Sequence, residues 1–141
     1  MIYNFIIKNI FIIIIIFIII LTLLIIEIKD YQYKKNGVTP QEAIKLLNNN
    51  NAIIIDLREE NIFNNLYILN SINIPYNKIN EYKNTIIRHK KSLIILIENK
   101  KNNKAATNLL KSYGCNNMTY IIDGIESWKK SDLPTYKREQ K

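Results

Sequence analysis

The chain has 141 residues, a formal net charge of +8 and one cysteine. One cysteine excludes an internal disulfide and any metal site built from several cysteines, and we expect neither a metal nor a cofactor. A basic chain can bind nucleic acid, rest on a membrane surface or have no specific charged partner. Neither a helix-turn-helix pattern nor an aromatic RNA-binding motif occurs in the sequence, so we expect no nucleic acid partner.

Residues 9–26 carry no charge and consist almost entirely of Ile, Leu and Phe. As a helix they would extend about 27 Å, close to the hydrocarbon thickness of a bilayer. A buried core helix is the alternative, but the remaining domain is too small to cover a helix that is apolar all round. A cleaved signal peptide would need small residues at its cleavage site, and no Ala, Gly or Ser precedes Gly37. We therefore predict a lasting transmembrane anchor over residues 1–28 that enters the lipid bilayer through residues 9–26.

The charges beside this segment predict its orientation. Only Lys8 precedes it, whereas lysines are frequent after it, beginning with Lys29, Lys34 and Lys35. Because Lys and Arg are retained on the cytoplasmic side, we expect a single-pass protein with its N-terminus outside and its soluble domain in the cytoplasm. Residues 29–38 are predicted to be a polar juxtamembrane linker of at most about 35 Å if extended.

A soluble domain is predicted over residues 39–136, with a tail over residues 137–141. Its first helix starts at Thr39, where an N-cap hydroxyl, a first-turn proline and a Glu placed for a capping box coincide. The elements expected after this helix are a strand over 52–55, a short helix at 62–63, an extended piece over 68–75, a helix over 78–88, a buried strand over 93–97, a helix from about 103 to 113, a strand over 118–122 and a short helix over 125–130. Strands separated by helices favour a parallel sheet covered on both faces, that is, an α/β fold.

Two segments of this domain resemble the rhodanese-like family. Residues 57–75, LREENIFNNLYILNSINIP, match a signature in which a strand ends in Arg-Glu, an aromatic residue follows and the segment closes on Asn-Ile-Pro. Residues 118–134, MTYIIDGIESWKKSDLP, match the family's last strand, its Gly turn, its helix bearing Trp and its Leu-Pro. Within the first segment Asn70 replaces a family Gly, and Asn is the residue that best substitutes for Gly where φ is positive. With its hydrophobic N-terminus the chain is similar to bacterial YibN-type rhodanese-like proteins, which implies a rhodanese-like parallel sheet and location in the bacterial inner membrane.

The decisive departure from the family lies after the central strand. Members with sulfurtransferase activity carry a Cys there, in a Gly-containing loop whose backbone N–H groups surround the thiolate. In this chain the position falls on Ile97, or on Glu98 if the loop is one residue shorter, and neither is a sulfur nucleophile. The resemblance therefore implies a pseudoenzyme that binds or scaffolds another membrane or cytoplasmic protein. The alternative is a sulfurtransferase that carries sulfur on Cys115, although about 15 Å of helix separates that thiol from the loop and a buried structural thiol is expected.

The loop could still bind an anion at the N-terminus of the following helix. The residues of this candidate anion-binding loop are Asn99, Lys100, Lys101, Asn102, Asn103 and Lys104. The alternative is a solvated loop, which we favour because Glu98 adds a negative charge and no Gly allows the backbone to close round a ligand.

Four further residues are candidates for the site. Asp56 and Arg58 end the first strand and could hold a substrate, but we favour a structural role in which Arg58 pairs with a nearby carboxylate or caps the loop. We expect Trp128 to belong to the core and not to a binding platform. His89 is flanked by two basic residues and is expected at an exposed helix end, not as a ligand or base.

Overall fold

The computed structural model describes residues 7–49, 52–98 and 100–138, and the side chains of residues 100–103 lie outside this description. The chain divides into two compact units, Met1–Lys35 and Asn36–Lys141.

The first helix, α1, covers Ile10–Asn36, and by length and composition it could cross a membrane. The polar residues from Lys29 onward, expected as a linker, form the last turns of this helix. Lys34 and Lys35 lie in its final turn, where cations interact favourably with the helix dipole. The Lys34 Nζ also lies 3.8 Å from a carboxylate oxygen of Asp30, four residues earlier. These interactions favour a helix over an extended linker.

The second unit contains four parallel strands with helices between them. Its elements are α2 (Pro40–Asn48), β1 (Ala52–Asp56), α3 (Glu60–Asn65), β2 (Ile72–Asn73), a 3-10 helix (Tyr76–Lys78), α4 (Lys83–Arg88), β3 (Leu93–Ile97), α5 (Lys100–Ser112), β4 (Met118–Tyr120) and α6 (Gly124–Lys130). The strands lie in the order β2-β1-β3-β4, and each neighbouring pair is parallel. The predicted α/β fold with a parallel sheet is confirmed.

Helices cover both faces of this sheet. Along β3, Ile94 and Leu96 belong to one buried cluster, to which α4 and α5 contribute. Ile95 and Ile97 belong to a second cluster, to which α2 and α6 contribute. All four side chains are 0% exposed. Because successive side chains of a strand point to opposite faces, an uninterrupted apolar strand must be buried on both sides.

The predicted start of α2 is present in full. The Thr39 hydroxyl oxygen accepts a hydrogen bond from the Glu42 backbone N–H at 3.3 Å, and the Glu42 carboxylate accepts one from the Thr39 backbone N–H at 2.8 Å. The Thr39 hydroxyl also donates to the Glu42 carboxylate, at 2.9 Å, and the hydrogen bonds that the carboxylate accepts from the Thr39 N–H and hydroxyl lower the pKa of Glu42. The capping box therefore fixes where the domain's first helix begins.

The chain joins the edge of β4 directly before α2. The Val38 N–H donates to the Tyr120 carbonyl at 2.9 Å, and the Ile122 N–H donates to the Val38 carbonyl at 3.0 Å. Gly37 packs closely beside this pairing, since a Cβ on it would lie 2.6 Å from Ile122 Cγ1 and 2.7 Å from Tyr120 Cε2. Only a residue without a side chain fits at position 37 without a shift of its neighbours.

The helix predicted over residues 78–88 is shorter in the structure. A 3-10 helix at Tyr76–Lys78 continues into turns, and α4 covers only Lys83–Arg88. Ile79 and Ile86 are each 1% exposed as expected, but Tyr82 is 38% exposed. Turns closed by hydrogen bonds between residues three apart place apolar residues at helix-like intervals, so the spacing alone did not distinguish them from an α-helix.

Candidate functional site

The residues that follow β3 lie at the carboxyl edge of the sheet, where open α/β proteins place their ligands. Ile97 ends the strand, is 0% exposed and pairs in register with Asp56 of β1. Glu98 follows it and is 6% exposed. Gly124 lies close to this position, since a Cβ on it would be 3.3 Å from the Glu98 carbonyl oxygen. Both candidate positions for a nucleophile therefore hold buried side chains, one hydrocarbon and one carboxyl.

The candidate anion-binding loop is only partly described. Asn99 lies outside the described residues, and so do the side chains of the next four residues, although their backbone forms the first turn of α5. This helix starts at Lys100, three residues earlier than predicted. Lys104 is exposed. The favoured solvated loop, with anion binding as the alternative, stays a prediction.

Asp56 and Arg58 form a buried ion pair at the same edge. The Arg58 Nη2 lies 2.6 Å from Asp56 Oδ2, and its Nε donates to Asp56 Oδ1 at 2.9 Å. The Asp56 side chain is 0% exposed and that of Arg58 is 12% exposed. A guanidinium and a carboxylate in this paired geometry form one of the stronger hydrogen-bonded contacts in proteins.

Two further residues join this pair, and we call the four the Asp56–Arg58 brace. Arg58 Nη2 also donates to the Leu66 carbonyl at 2.7 Å. The Asn73 side-chain amide donates to the Asp56 carbonyl at 3.1 Å and to the Arg58 carbonyl at 2.8 Å. The Nε and Nη2 groups of Arg58 thus donate to acceptors of the protein itself. This is the arrangement expected for a structural role, which stays a prediction. Sequence reasoning did not single out Asn73, although it stands in the Asn-Ile-Pro that closes the signature.

The single thiol lies away from this edge. Cys115 is 1% exposed, and its Sγ is 3.9 Å from the Ile86 carbonyl oxygen. Since Ile94 at the start of β3 pairs with Met118, Cys115 lies at the amino edge of the sheet, about 13 Å or more from Glu98 at 3.3 Å per strand residue. Burial raises the pKa of the Cys115 thiol, and the nearby charge of a lysine opposes this only in part. The thiol is therefore neutral and shielded at pH 7.

Trp128 lies on the α2–α6 side of the sheet. It is 3% exposed, and its indole N–H donates to the Pro134 carbonyl at 3.1 Å. It lines a groove of about 260 Å³ together with Ile44, Leu47, Asn48, Ile68, Leu69, Pro134 and Tyr136. No loop residue from the end of β3 borders this groove among the residues that the structure describes.

Metal ligation finds no support in the described part of the chain. There, no three His, Cys, Asp or Glu side chains come together in a group that could hold an ion. His89 caps the end of α4 and is half-buried.

The model of the rhodanese-like domain family matches residues 39–131, most of the second unit. This chain belongs to the rhodanese-like domain family. An uncharacterised protein of Buchnera aphidicola from Schizaphis graminum is 30% identical over 112 residues, which cover 78% of this chain and 76% of that protein. Another, from the Buchnera of Baizongia pistaciae, is 27% identical over 140 residues, 96% of this chain and 95% of the other. Membership confirms the family that the two sequence segments indicated.

Solved structures support the same fold. A rhodanese-related protein from Thermoplasma volcanium superposes with a TM-score of 0.61 at 22% identity, covering 72% of this chain and 97% of that one. A thiosulfate sulfurtransferase from Pseudomonas aeruginosa superposes with a TM-score of 0.62 at 15% identity, covering 74% of this chain and 21% of its own. At these identities the likeness concerns the fold of this rhodanese-like domain alone.

Proposed function

We propose that this protein is a non-catalytic rhodanese-like module, held at a membrane by α1, that binds or scaffolds another membrane or cytoplasmic protein. The observation that carries the proposal is the pair of buried residues at the end of β3. Ile97 and Glu98 occupy the two positions at which the family's nucleophilic Cys could fall.

Sulfur transfer needs a thiolate that attacks the sulfur donor and carries the persulfide. An isoleucine side chain has no nucleophile, and a carboxylate cannot form a persulfide. A charged Glu98 would also repel an anionic donor such as thiosulfate. The rhodanese-like fold can therefore form in this chain without the loop cysteine that sulfur transfer needs.

The alternative is a sulfurtransferase that uses Cys115. The burial of this thiol, its raised pKa and its place at the amino edge of the sheet all oppose that alternative. A thiol becomes reactive where it is accessible and where its thiolate is stabilised. Neither condition holds around Cys115.

A thiosulfate:cyanide assay on the full-length protein tests this proposal. We expect thiocyanate to form at the rate of the enzyme-free mixture, both for the natural chain and for Cys115→Ser. A rhodanese with a loop cysteine, assayed in parallel, provides the positive control. Activity that the natural chain shows and Cys115→Ser loses would establish the sulfurtransferase instead.

The membrane part of the proposal rests on α1 and on the lysines that follow its apolar stretch. We expect the protein to stay in the membrane fraction after alkaline carbonate extraction. If the domain lies in the cytoplasm of a bacterium, protease added to spheroplasts should leave the domain intact. The same protease added to inverted inner-membrane vesicles should digest it. Carbonate-soluble protein would refute the anchor, and digestion in spheroplasts would reverse the orientation.

Partner binding is tested by photo-crosslinking in living cells. A photoreactive residue placed on the domain surface should capture a defined membrane or cytoplasmic protein, and the same product should form with Cys115→Ser. A crosslinked product that depends on Cys115 would indicate sulfur exchange and not scaffolding.

A further inference from the structure

Charge is distributed unevenly along the domain. Residues 82–122 contain a single acidic residue, Glu98, which is only 6% exposed. The basic residues of the same stretch are Lys83, Arg88, Lys90, Lys91, Lys100, Lys101, Lys104 and Lys111. This part of the domain therefore presents positive charge with no exposed carboxylate between the cations.

The fold collects these cations on one side of the sheet. Ile86 of α4 and Leu110 of α5 belong to the same buried cluster, so the two helices cover the same sheet face. Six basic residues of α4, α5 and the turn after α4 are exposed, and we call them the α4–α5 face: Lys83, Arg88, Lys90, Lys91, Lys104 and Lys111. None of the six forms an ion pair with an acid of the described residues, where the ion pairs are Asp30–Lys34 and Asp56–Arg58. Glu81, just before α4, is the nearest exposed acid along the chain.

The other side of the sheet is different. There the lysines alternate with acids on the same helices: α2 carries Glu42 and Lys45, and α6 carries Glu126, Lys129 and Lys130. A general excess of lysine in the chain would enrich both sides alike. Exposed acids are absent from α4, α5 and the turn after α4, and Glu81 lies at the border of this face.

The composition of the face favours one kind of partner. Five of its six cations are lysines, which act as hydrated point charges on flexible stems and not as planar hydrogen-bonding forks. Such charges suit a diffuse negative surface, and the anionic headgroups of a bilayer form one. Only residues 27–37 lie between the apolar stretch and Val38, where the domain's sheet pairing starts, so the bilayer is within reach. We propose that the α4–α5 face binds the anionic lipid surface of the membrane that α1 enters, an inference that rests on the proposed anchoring.

Energy transfer from the single tryptophan, Trp128, to dansyl-labelled lipid headgroups measures this contact in the full-length protein. We expect higher transfer in vesicles of phosphatidylcholine with one third phosphatidylglycerol than in phosphatidylcholine alone. The difference should disappear in about 1 M salt, where the Debye length is about 3 Å. Equal transfer in the two lipid compositions at low salt would overturn the proposal.

Two variants with equal loss of charge locate the contact. The first replaces Lys83, Lys90, Lys91 and Lys111 by Gln, and it should lose the increase that anionic lipid causes. The matched control replaces four exposed lysines elsewhere by Gln, namely Lys45, Lys129, Lys130 and Lys137. It should keep most of the increase. Equal losses in the two variants would show that net charge, and not this face, is responsible.

Flotation separates this inference from the proposed anchoring. If the natural chain does not float with phosphatidylcholine vesicles in 1 M salt, the anchor fails and the lipid contact fails with it. If it floats but shows no transfer that depends on anionic lipid, only the α4–α5 face proposal is refuted. A third outcome would be that anionic lipid has no effect and that the control variant binds a single-stranded oligonucleotide tightly while the face variant does not. This outcome would assign the α4–α5 face to nucleic acid and would also refute the lipid proposal.

Discussion

Replacing Arg58 by Ala tests the structural role assigned to the Asp56–Arg58 brace. The substitution removes every contact between the guanidinium and the Asp56 carboxylate, the shortest of which is 2.6 Å. It also removes the donor to the Leu66 carbonyl. The carboxylate of Asp56 is 0% exposed, so without the guanidinium it stays buried with no cation beside it, and only the backbone N–H of residue 58 donates to it, at 3.1 Å.

The expected loss of stability follows from this geometry. Breaking one side of a buried ion pair costs about 3–5 kcal/mol, because the remaining charge is desolvated without compensation. A domain is stable by about 5–15 kcal/mol in total. We therefore expect Arg58→Ala to lose a large fraction of the free energy of unfolding. The double variant Asp56→Asn/Arg58→Ala should recover part of this loss of stability, because a buried amide carries no charge that needs a partner.

Urea unfolding of the full-length protein in detergent, followed by Trp128 fluorescence, measures these differences, because Trp128 is 3% exposed in the domain core. Arg138→Ala is the matched control. Its exposed guanidinium lies 5.6 Å from the Phe63 ring centre, a cation–π contact worth about 0.5–1 kcal/mol. If Arg58→Ala costs no more than Arg138→Ala, the brace is not structural and a substrate role for Arg58 gains support.

Four other substitutions and one labelling experiment test separate parts of the domain. Thr39→Ala should cost about 1 kcal/mol at neutral pH as the N-cap is lost. Because folding lowers the pKa of Glu42, the carboxylate stabilises the folded state fully above the ordinary pKa of 4.5 and loses this effect as the pH falls through the lower folded value. The urea midpoint of the natural chain should therefore approach that of Glu42→Gln in acid. Gly37→Ala should cost about 1–3 kcal/mol, because its methyl group would overpack against Tyr120 and Ile122. Gly114 has open space around it but a φ of +89°, so Gly114→Ala should cost only backbone strain. A urea midpoint of Gly37→Ala equal to that of the natural chain would refute the close packing. The Cys115 thiol should react with a disulfide reagent only through opening of the fold, so its labelling should accelerate sharply in urea, and fast labelling of the native protein would contradict its burial.

The elements that depend on local chemistry could be predicted from the sequence. The capping residues Thr39 and Glu42 make their hydrogen bonds to each other, and the apolar run of β3 is buried on both faces. Asn70 has a φ of 62°, the positive value suggested by its replacement of a family Gly. Such features are set by residues a few positions apart, so the pattern alone contains the information.

Features that depend on distant contacts could not be predicted in this way. In the brace, the Asn73 side chain donates to backbone carbonyls 15 and 17 residues away, and no rule of residue spacing predicts that contact. The strand order β2-β1-β3-β4 likewise results from packing and not from any local pattern. At the candidate site, sequence placed the nucleophile position on Ile97 or Glu98, and the structure shows that both are buried at the end of β3.

The brace has one more consequence. Its hydrogen bonds run among Asp56, Arg58, Leu66 and Asn73, so none of them depends on an atom of residue 98. Scaffold and nucleophile position are thus separable under mutation: a substitution at residue 98 changes the chemistry of this edge while every hydrogen bond of the brace stays in place.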